Sequence, residues 1–470
     1  MTPKYLVCPS CKTLYEFVAS IKSCPRCSAP LFTIYEDLEQ VLKKVIVNAR
    51  ERAIQGLGVW SFGELLPTKF IGKSLGEGWT PTVRLEKFAN VLGVDILIKN
   101  ESRNPSGTFI DRGTSIDVQV AYENSFSKIV SASLGDYAIS LSVYAKRYEM
   151  SVTHYIPRFV EPWKLYMLTL LGDTIVEVED YPSAVRKASR MSAKNQHYLS
   201  IPCSPTVIDG YRTIVFELIQ TLQKIDWIAV PVGDGVLATA IFKGLNEIKD
   251  VLDIDTPRIL TVKLSENSEK TLQKSAEPTL TELSGGIVRN ILTTILRNSA
   301  SHISIERSEV FTIAAQLAEL EGIIVDPVGV ASLAGVKMAT ELGIVGRGEK
   351  TLVIISGSPS KDSYVLYKII EHGGKEKLLQ RITEGRDATY ISNTQKEILK
   401  ILYEARQCYA YRIWKKLKNL GYNITLQTVH HHLKNLVEKG YVRILGSDGK
   451  RLLYTISELG EEYLDKELGT

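Results

Sequence analysis

The sequence predicts an α/β protein whose main body is a parallel sheet with helices on both faces, preceded by a small cysteine-rich unit and followed by a compact helix-and-hairpin unit. Three observations predict it. Four of the six cysteines fall in two tight pairs near the start. From about Val94 to Ser358, short β-branched runs alternate with longer helical stretches. From Ser392 onward the pattern is helical and basic and closes on a hairpin. A chain of 470 residues at roughly 100–200 residues per domain holds two to four domains. The boundaries fall at 1–35 for the cysteine unit, 36–72 for a helical lead-in, 73–370 for the body, 371–391 for a charged linker, and 392–470 for the last unit.

No run of about 18 apolar residues is present, so no membrane span is expected. Met1 to Tyr5 leads into cysteines without an apolar signal core, and the expectation is a cytoplasmic protein. Cys8 and Cys11, then Cys24 and Cys27, form two C-x2-C pairs. That spacing belongs to a metal site in a reducing compartment rather than to a disulfide framework. Two intervening residues let a tight turn aim both sulfurs at one ion, and four thiolates complete the tetrahedron that structural zinc prefers. The stretch Lys12–Ser23 is long enough for a short hairpin, so the unit reads as a zinc ribbon. Cys203 and Cys408 stand alone and take no role.

Glu36 to about Gln55 places Leu38, Val41, Val45 and Ala49 at helical spacing. In the body, Lys128–Ser131, Ile175–Val178, Trp227–Val232, Ile259–Val262 and Thr351–Ile355 read as strands. Gly135–Glu149, Pro182–Asn195, Val236–Asp250 and Gly329–Leu342 read as helices. Strand–helix alternation of this length implies a parallel sheet covered on both faces. In such sheets ligands sit at the carboxyl ends of strands, where loops lead into helix N-termini.

Several of those loops carry motifs. Ser74-Leu75-Gly76-Glu77-Gly78-Trp79-Thr80-Pro81 resembles the GEGxTP signature of threonine synthases, and Asn104-Pro105-Ser106-Gly107-Thr108-Phe109-Ile110-Asp111-Arg112-Gly113 resembles their cofactor loop, NPTGSFKDRG. Val59-Trp60-Ser61-Phe62 with Leu65-Leu66-Pro67 looks like their leading segment. Asp326-Pro327 with Ala331-Ser332-Leu333-Ala334-Gly335 is similar to their EPASAASLAG helix. The resemblance covers roughly residues 1–365. It implies two doubly wound lobes, the pyridoxal phosphate (PLP) fold type II of tryptophan synthase β, with a ligand pocket built from Thr80, Ser106, Thr108, Ile110, Asp111, Arg112, Ser133, Gly135, Asp136, Gly233, Asp234, Gly235, Ser356 and Ser358.

Three loops depart from the pattern. Family members hold PLP as an imine on the lysine of the cofactor loop, and that position is Ile110, which can neither form an imine nor move a proton. No catalytic residue is therefore assigned, and PLP is not expected as a cofactor. Asp136 stands where an Asn would reach the ring hydroxyl, and offers only an acceptor when ionised. In the phosphate loop, Val236 adds a β-carbon and Asp234 sets a carboxylate beside a dianion, a repulsion of about 4 kcal/mol at contact before screening. Ser356-Gly357-Ser358, with Lys361-Asp362, keeps the place of the family's T-G-x-G turn. The retained residues either only hold the fold or line a pocket for another small ligand, such as an amino acid, its phospho-ester or a nucleotide.

The last unit has its own signature. Helices are expected over Ser392–Tyr403, Ala410–Leu420 and from Leu426 to about Lys439. In the third, Val429, Leu433, Leu436 and Val437 face inward. Val442–Leu445 and Leu452–Ile456 flank Gly446–Arg451 as a hairpin with an Asp-Gly turn. Three helices and a basic hairpin resemble winged helix-turn-helix regulators, in which the third helix enters the major groove and the wing touches the backbone. That resemblance points to Gln427, Thr428, His430, His431 and Lys434 on the helix, and Lys450 and Arg451 on the wing, as contacts to double-stranded DNA. Residues 391–457 hold 12 Lys and Arg against 4 Asp and Glu, a net +8, where the whole chain carries +4. That is the footprint of a polyanion partner. A winged helix can also serve protein contacts. Three successive histidines point about 100° apart on a helix and do not share an ion. Ser457–Glu467 reads as a closing helix and a candidate dimer contact.

These readings lead to a homodimeric one-component regulator whose body senses a metabolite. The alternatives are a working PLP lyase with an appended DNA-binding unit, and a body that only scaffolds.

Overall fold

In the computed structural model the first strands form around the cysteine turns. β1 (Tyr5–Val7), β2 (Leu14–Glu16) and β3 (Phe32–Ile34) make a small antiparallel sheet in the order β2-β1-β3. The stretch Lys12–Ser23 does not form a hairpin of its own; it supplies only β2, whose partner β1 precedes the first cysteine pair. The first cysteine pair is itself the hairpin turn. Lys12 N–H donates to the Cys8 carbonyl at 2.9 Å, with Lys12 in the left-handed region. The second pair repeats this, with Ser28 N–H on the Cys24 carbonyl at 2.8 Å. α1 (Leu38–Ile54) then buries Leu42, Val45 and Ala49.

The residues described are 3–219, 225–266, 268, 283, 296, 300–357, 369, 370, 372–374, 393–422, 424–448 and 451–468. They divide into two units, Met1–Gly374 and Lys375–Thr470. The expected linker lies almost wholly outside the described residues, as do Ser358, Lys361, Asp362 and Lys450.

Strands and helices alternate through the body: β4 (Thr82–Arg84), α2 (Glu86–Leu92), β5 (Asp95–Asn100), α3 (Asp111–Glu123), β6 (Lys128–Ala132), α4 (Asp136–Arg147), β7 (Ser151–Pro157), α5 (Pro162–Leu170), β8 (Thr174–Val178) and α6 (Tyr181–Asn195). The series continues with β9 (Tyr198–Ser200), α7 (Pro205–Glu217), β10 (Trp227–Pro231), α8 (Val236–Leu252), β11 (Arg258–Leu264), β12 (Ala300–Ile305), α9 (Arg307–Glu321), α10 (Pro327–Glu341) and β13 (Lys350–Ile355). They form two sheets, β12-β11-β10-β13-β5-β4 and β8-β7-β6-β9, parallel throughout except for the edge strand β4. The central strand β10 is buried at every residue, which is why its run is apolar without alternation. The two-lobed, doubly wound expectation holds.

α3 and α7 cross backbone to backbone. A β-carbon on Gly210 would lie 2.2 Å from the Arg112 carbonyl oxygen, and one on Gly113 would lie 2.7 Å from Val207 and Tyr211 side-chain atoms. Only glycine fits either position, and α3 is thereby locked against α7.

The second unit contains α11 (Asn393–Ala405), β14 (Cys408–Tyr409), α12 (Ala410–Asn419), α13 (Leu426–Glu438), β15 (Val442–Asp448), β16 (Arg451–Ile456) and α14 (Glu458–Leu468). Its core joins Ile398, Leu402, Ile413, Leu417, Val429, Leu433, Leu436 and Leu464. Thr425 caps α13 by accepting the Thr428 N–H at 3.2 Å. The wing strands run further than the sequence indicated, closing to an Asp448–Arg451 pair, and β14 adds a third strand beside β16.

Candidate functional site

Four loops gather at the carboxyl ends of strands: residues 101–110 after β5, 133–135 after β6, 232–235 after β10 and 356–357 after β13. Thr108 bridges Gly357, and Phe109 N–H donates to the Ser356 carbonyl at 3.3 Å. Ile110 sits as the residue before α3, 9% exposed and packed into the main apolar cluster, with its N–H on Thr108 Oγ1 at 3.2 Å. Asp111 is fully buried and accepts the Ser106 N–H at 2.6 Å and the Ser140 hydroxyl. Burial pushes its carboxyl up to about 6, opposed by those hydrogen bonds.

The turn after β6 is self-satisfied. Ser133 Oγ accepts the N–H groups of Gly135 (2.9 Å) and Ala138 (3.0 Å), and Gly135 takes a φ of 120°. The loop after β10 is closed in a similar way. The carboxylate of Asp234 accepts the Val236 N–H at 3.0 Å, one of the backbone donors that open α8, while Gly235 adopts a left-handed φ of 87°. Burial raises the Asp234 carboxyl.

The structure adds a group that no sequence motif signalled. Lys164, in the first turn of α5, is nearly buried and pairs with Asp136 at 3.2 Å and Glu161 at 3.0 Å. Its methylenes lie across the turn, so that a β-carbon on Gly135 would fall 2.3 Å from Lys164 Cδ. From the other lobe Asp326 faces this cluster. Burial, then the Asp136 charge, raises its carboxyl to about 7, and Lys164 opposes the shift. Its β-carbon lies 3.9 Å from where one on Gly357 would stand, which places it beside the Thr108 loop.

Thr80 and Arg112 are engaged elsewhere. The Arg112 guanidinium is fully buried and binds Glu101 through Nε (2.7 Å) and Nη2 (2.8 Å), Glu217, and Thr80 Oγ1 at 3.2 Å. Thr80 donates to Glu101 at 2.7 Å, and Lys99 pairs with Glu217 at 2.7 Å. The neighbouring Glu77 is buried against Trp60 Nε1 (2.8 Å) and Ser74. These motif residues tie the 74–81 loop to α3 and α7.

The four N-terminal cysteine sulfurs lie within 4.8 Å of one another, and this is the one group of possible metal ligands among the described residues. Cys8 and Cys24 are buried, and Cys11 and Cys27 are half-buried. Four converging thiol groups are the donor set of a closed, tetrahedral metal site.

On the second unit, Gln427, His430, His431 and Lys434 are exposed along one side of α13, opposite buried Val429, Leu433 and Leu436. Thr428 is half-buried and shares the cap with Thr425 (2.8 Å between hydroxyl oxygens). Exposed Arg412, Lys415 and Lys416 add positive charge on α12. Arg451 opens β16. No described helix is long and apolar enough to cross a membrane.

Paired parallel sheets with loops gathered at their carboxyl ends define an α/β protein of a widely shared fold. It superposes on diaminopropionate ammonia lyase from Escherichia coli with a TM-score of 0.55 at 18% identity, over 64% of this chain and 89% of that one. For threonine deaminase isoform 2 from Solanum lycopersicum the TM-score is 0.54 at 20% identity, over 63% and 83%. Residues 73–357 match the family described as pyridoxal-phosphate dependent enzyme, and the chain belongs to that family. Residues 396–464 match the ribonuclease R winged-helix domain. The chain is 26% identical over 387 residues to threonine synthase of Methanosarcina acetivorans, covering 78% of this chain and 94% of that one. It is 29% identical over 378 residues to threonine synthase of Methanocaldococcus jannaschii, covering 76% and 92%.

Proposed function

We propose that the chain is a DNA-binding transcriptional regulator whose threonine-synthase-like body binds a small metabolite and performs no lyase chemistry. The observation that carries this reading is Ile110, a buried isoleucine at the start of α3 in the loop where the resemblance places the cofactor lysine. It has no amine to bond an aldehyde and no proton to move. The loop after β10 agrees with it: Asp234 already takes the Val236 N–H, so an anion there would meet a carboxylate in place of a donor. The site as built does not fit PLP.

The other parts follow the same reading. Zinc on Cys8, Cys11, Cys24 and Cys27 folds the N-terminal unit and does no chemistry, since four protein ligands leave no open position. The exposed stripe Gln427–His430–His431–Lys434 enters a major groove, and the wing with Lys450 and Arg451 lies on the backbone. Two copies of the chain, related by a two-fold axis, read a palindromic site. The effector is an amino acid, a phospho-ester or a nucleotide.

One observation favours the second reading, a working PLP lyase. Lys164 is an amine in the cleft, although its pairing with Asp136 and Glu161 commits it to two carboxylates. The same experiment separates the two. Purified protein is mixed with PLP, and its absorbance is recorded before and after dialysis. The regulator reading expects no protein-bound imine band to survive. A surviving band that disappears in Lys164→Arg would refute it and establish Lys164 as the anchoring amine.

A further inference from the structure

We infer that the cysteine-rich unit is a releasable latch on the body: a metal held by the four thiolates keeps Lys22, Thr33 and Tyr35 seated, and its loss unseats them and opens the body around Cys203 without unfolding it. This rests on the reading of the four cysteines as a metal site.

The unit has little to hold it in shape besides that metal. Apart from the cysteines, its own buried cluster is Leu6, Ala29 and Leu31. Tyr15, Phe17 and Ile21 pack against it half-buried, and a fold with so small a core is ordered by its ion. Its remaining contacts are with the body. Thr33 Oγ1 donates to Asp209 at 2.6 and 2.7 Å, and Tyr35 Oη at 2.6 Å. Ala19 and Phe32 pack on the main apolar cluster. Lys22, from the segment between the cysteine pairs, is 6% exposed; its ammonium lies 3.6 Å from the Tyr198 ring centroid and 3.6 Å from Asp117.

Two features make this docking reversible. First, Lys22 Nζ is buried without a hydrogen-bond partner among the described residues. An ammonium taken out of water on those terms opposes docking, so the ordered unit has to offset it. Second, each of the two buried carboxylates also has partners within the body. Asp117 accepts from Tyr198 Oη and Ser200 Oγ at 2.6 Å each, and from Thr206. Asp209 is paired with Lys243 at 2.9 Å and Arg212 at 3.1 Å. When the unit leaves, Asp117 keeps its three hydroxyl donors and Asp209 keeps both of these cations. Cys203, 7% exposed, lies in the chain between Ser200 and Thr206, whose hydroxyls share Asp117 with Lys22, and burial raises its thiol to about 12. It is the natural reporter of release.

The test uses the full chain. Metal content is measured first; a protein that carries no metal and takes up no zinc refutes both the metal reading and the latch. For the zinc-loaded protein, thiol alkylation mapped by mass spectrometry and amide exchange are compared before and after addition of a strong zinc chelator. Alkylation of Cys203 is expected to rise by about tenfold or more as local opening becomes accessible, with exchange increasing over residues 3–35. β10, β13 and Cys408 of the second unit should keep their protection. Fast exchange over 3–35 with Cys203 still unreactive would overturn the latch, because the unit would then fold and unfold without consequence for the body. Loss of protection throughout β10 and β13 would overturn it equally, since the unit would be a structural clamp. Lys22→Met, which keeps the metal site and removes the buried charge, should slow Cys203 alkylation in chelator; faster alkylation would contradict the account of Lys22.

Discussion

Replacing Asp326 with Asn tests the electrostatics of the cleft directly. Asp326 accepts the Val328 N–H at 2.8 Å and so caps α10. An Asn side chain caps as well, so the helix start is preserved and only the charge is removed. The carboxyl is raised to about 7 by burial and by the facing charge of Asp136, with Lys164 opposing. A carboxyl raised in the folded state binds more protons folded than unfolded between its ordinary value and about 7. The native protein therefore loses stability as pH rises through that window, and the loss is complete above it. One pKa unit corresponds to about 1.4 kcal/mol. Allowing for partial exposure, Asp326→Asn should be more stable than the native protein by roughly 2 kcal/mol at about pH 8 and equal to it near pH 4. Urea unfolding followed by tryptophan fluorescence at a series of pH values measures the difference. A difference that stays constant across pH would refute the reasoning, since a lost or improved cap contributes equally at every pH.

Arg112→Met should cost about 3–5 kcal/mol and lower the melting temperature of the body, because Glu101 and Glu217 are both essentially inaccessible to water and of the two only Glu217 would retain a paired cation, Lys99, in that network. Lys434→Ala on α13 should weaken DNA binding about equally for all sequences and reduce the salt dependence by about one counterion, measured by titration at several salt concentrations. Gln427→Ala on the same face should instead relax base preference, at about 1–3 kcal/mol for the affected position, in a binding-site selection experiment. Thr425→Ala removes the cap of α13 and should cost the second unit about 1 kcal/mol, read from its thermal unfolding.

Much of the body was legible because its signals are local. Strands such as Trp227–Pro231 are continuous apolar runs, and helices such as Val236–Leu252 begin where a Gly-rich loop ends. The cysteine pairs specified their own turns, and the third helix of the last unit showed its buried and exposed faces in its spacing. The loop positions were legible too, since motifs near residues 104–113, 133–136 and 233–236 do come to strand ends. What those residues do there was not. Thr80 and Arg112 read as pocket residues, yet their partners Glu101 and Glu217 stand up to 138 positions from the loop they hold (Trp79 N–H to Glu217). Lys164 and Asp326 carry no motif of their own as a pair. Their opposition arises only when the two lobes face each other, and pairwise spacing along the chain holds no trace of it. β14 was missed because two residues have no period.

The glycine crossing of α3 and α7 bears on how the body could respond to anything it binds. Helices separated by side chains can slide, since side chains repack at small cost. Here the Arg112 carbonyl meets the α-carbon of Gly210 with no side chain between them, and tight backbone contact offers no second arrangement of similar energy. A shift of one helix along the other would drive the neighbouring β-carbons into backbone atoms. The Ile110 loop at the head of α3, the Arg112 network, and the Asp209 seat on α7 therefore travel as a single rigid piece. Any gear that transmits occupancy of the cleft must have its teeth elsewhere, on the α4–α5 side where Lys164 lies or on the α10 side where Asp326 faces it.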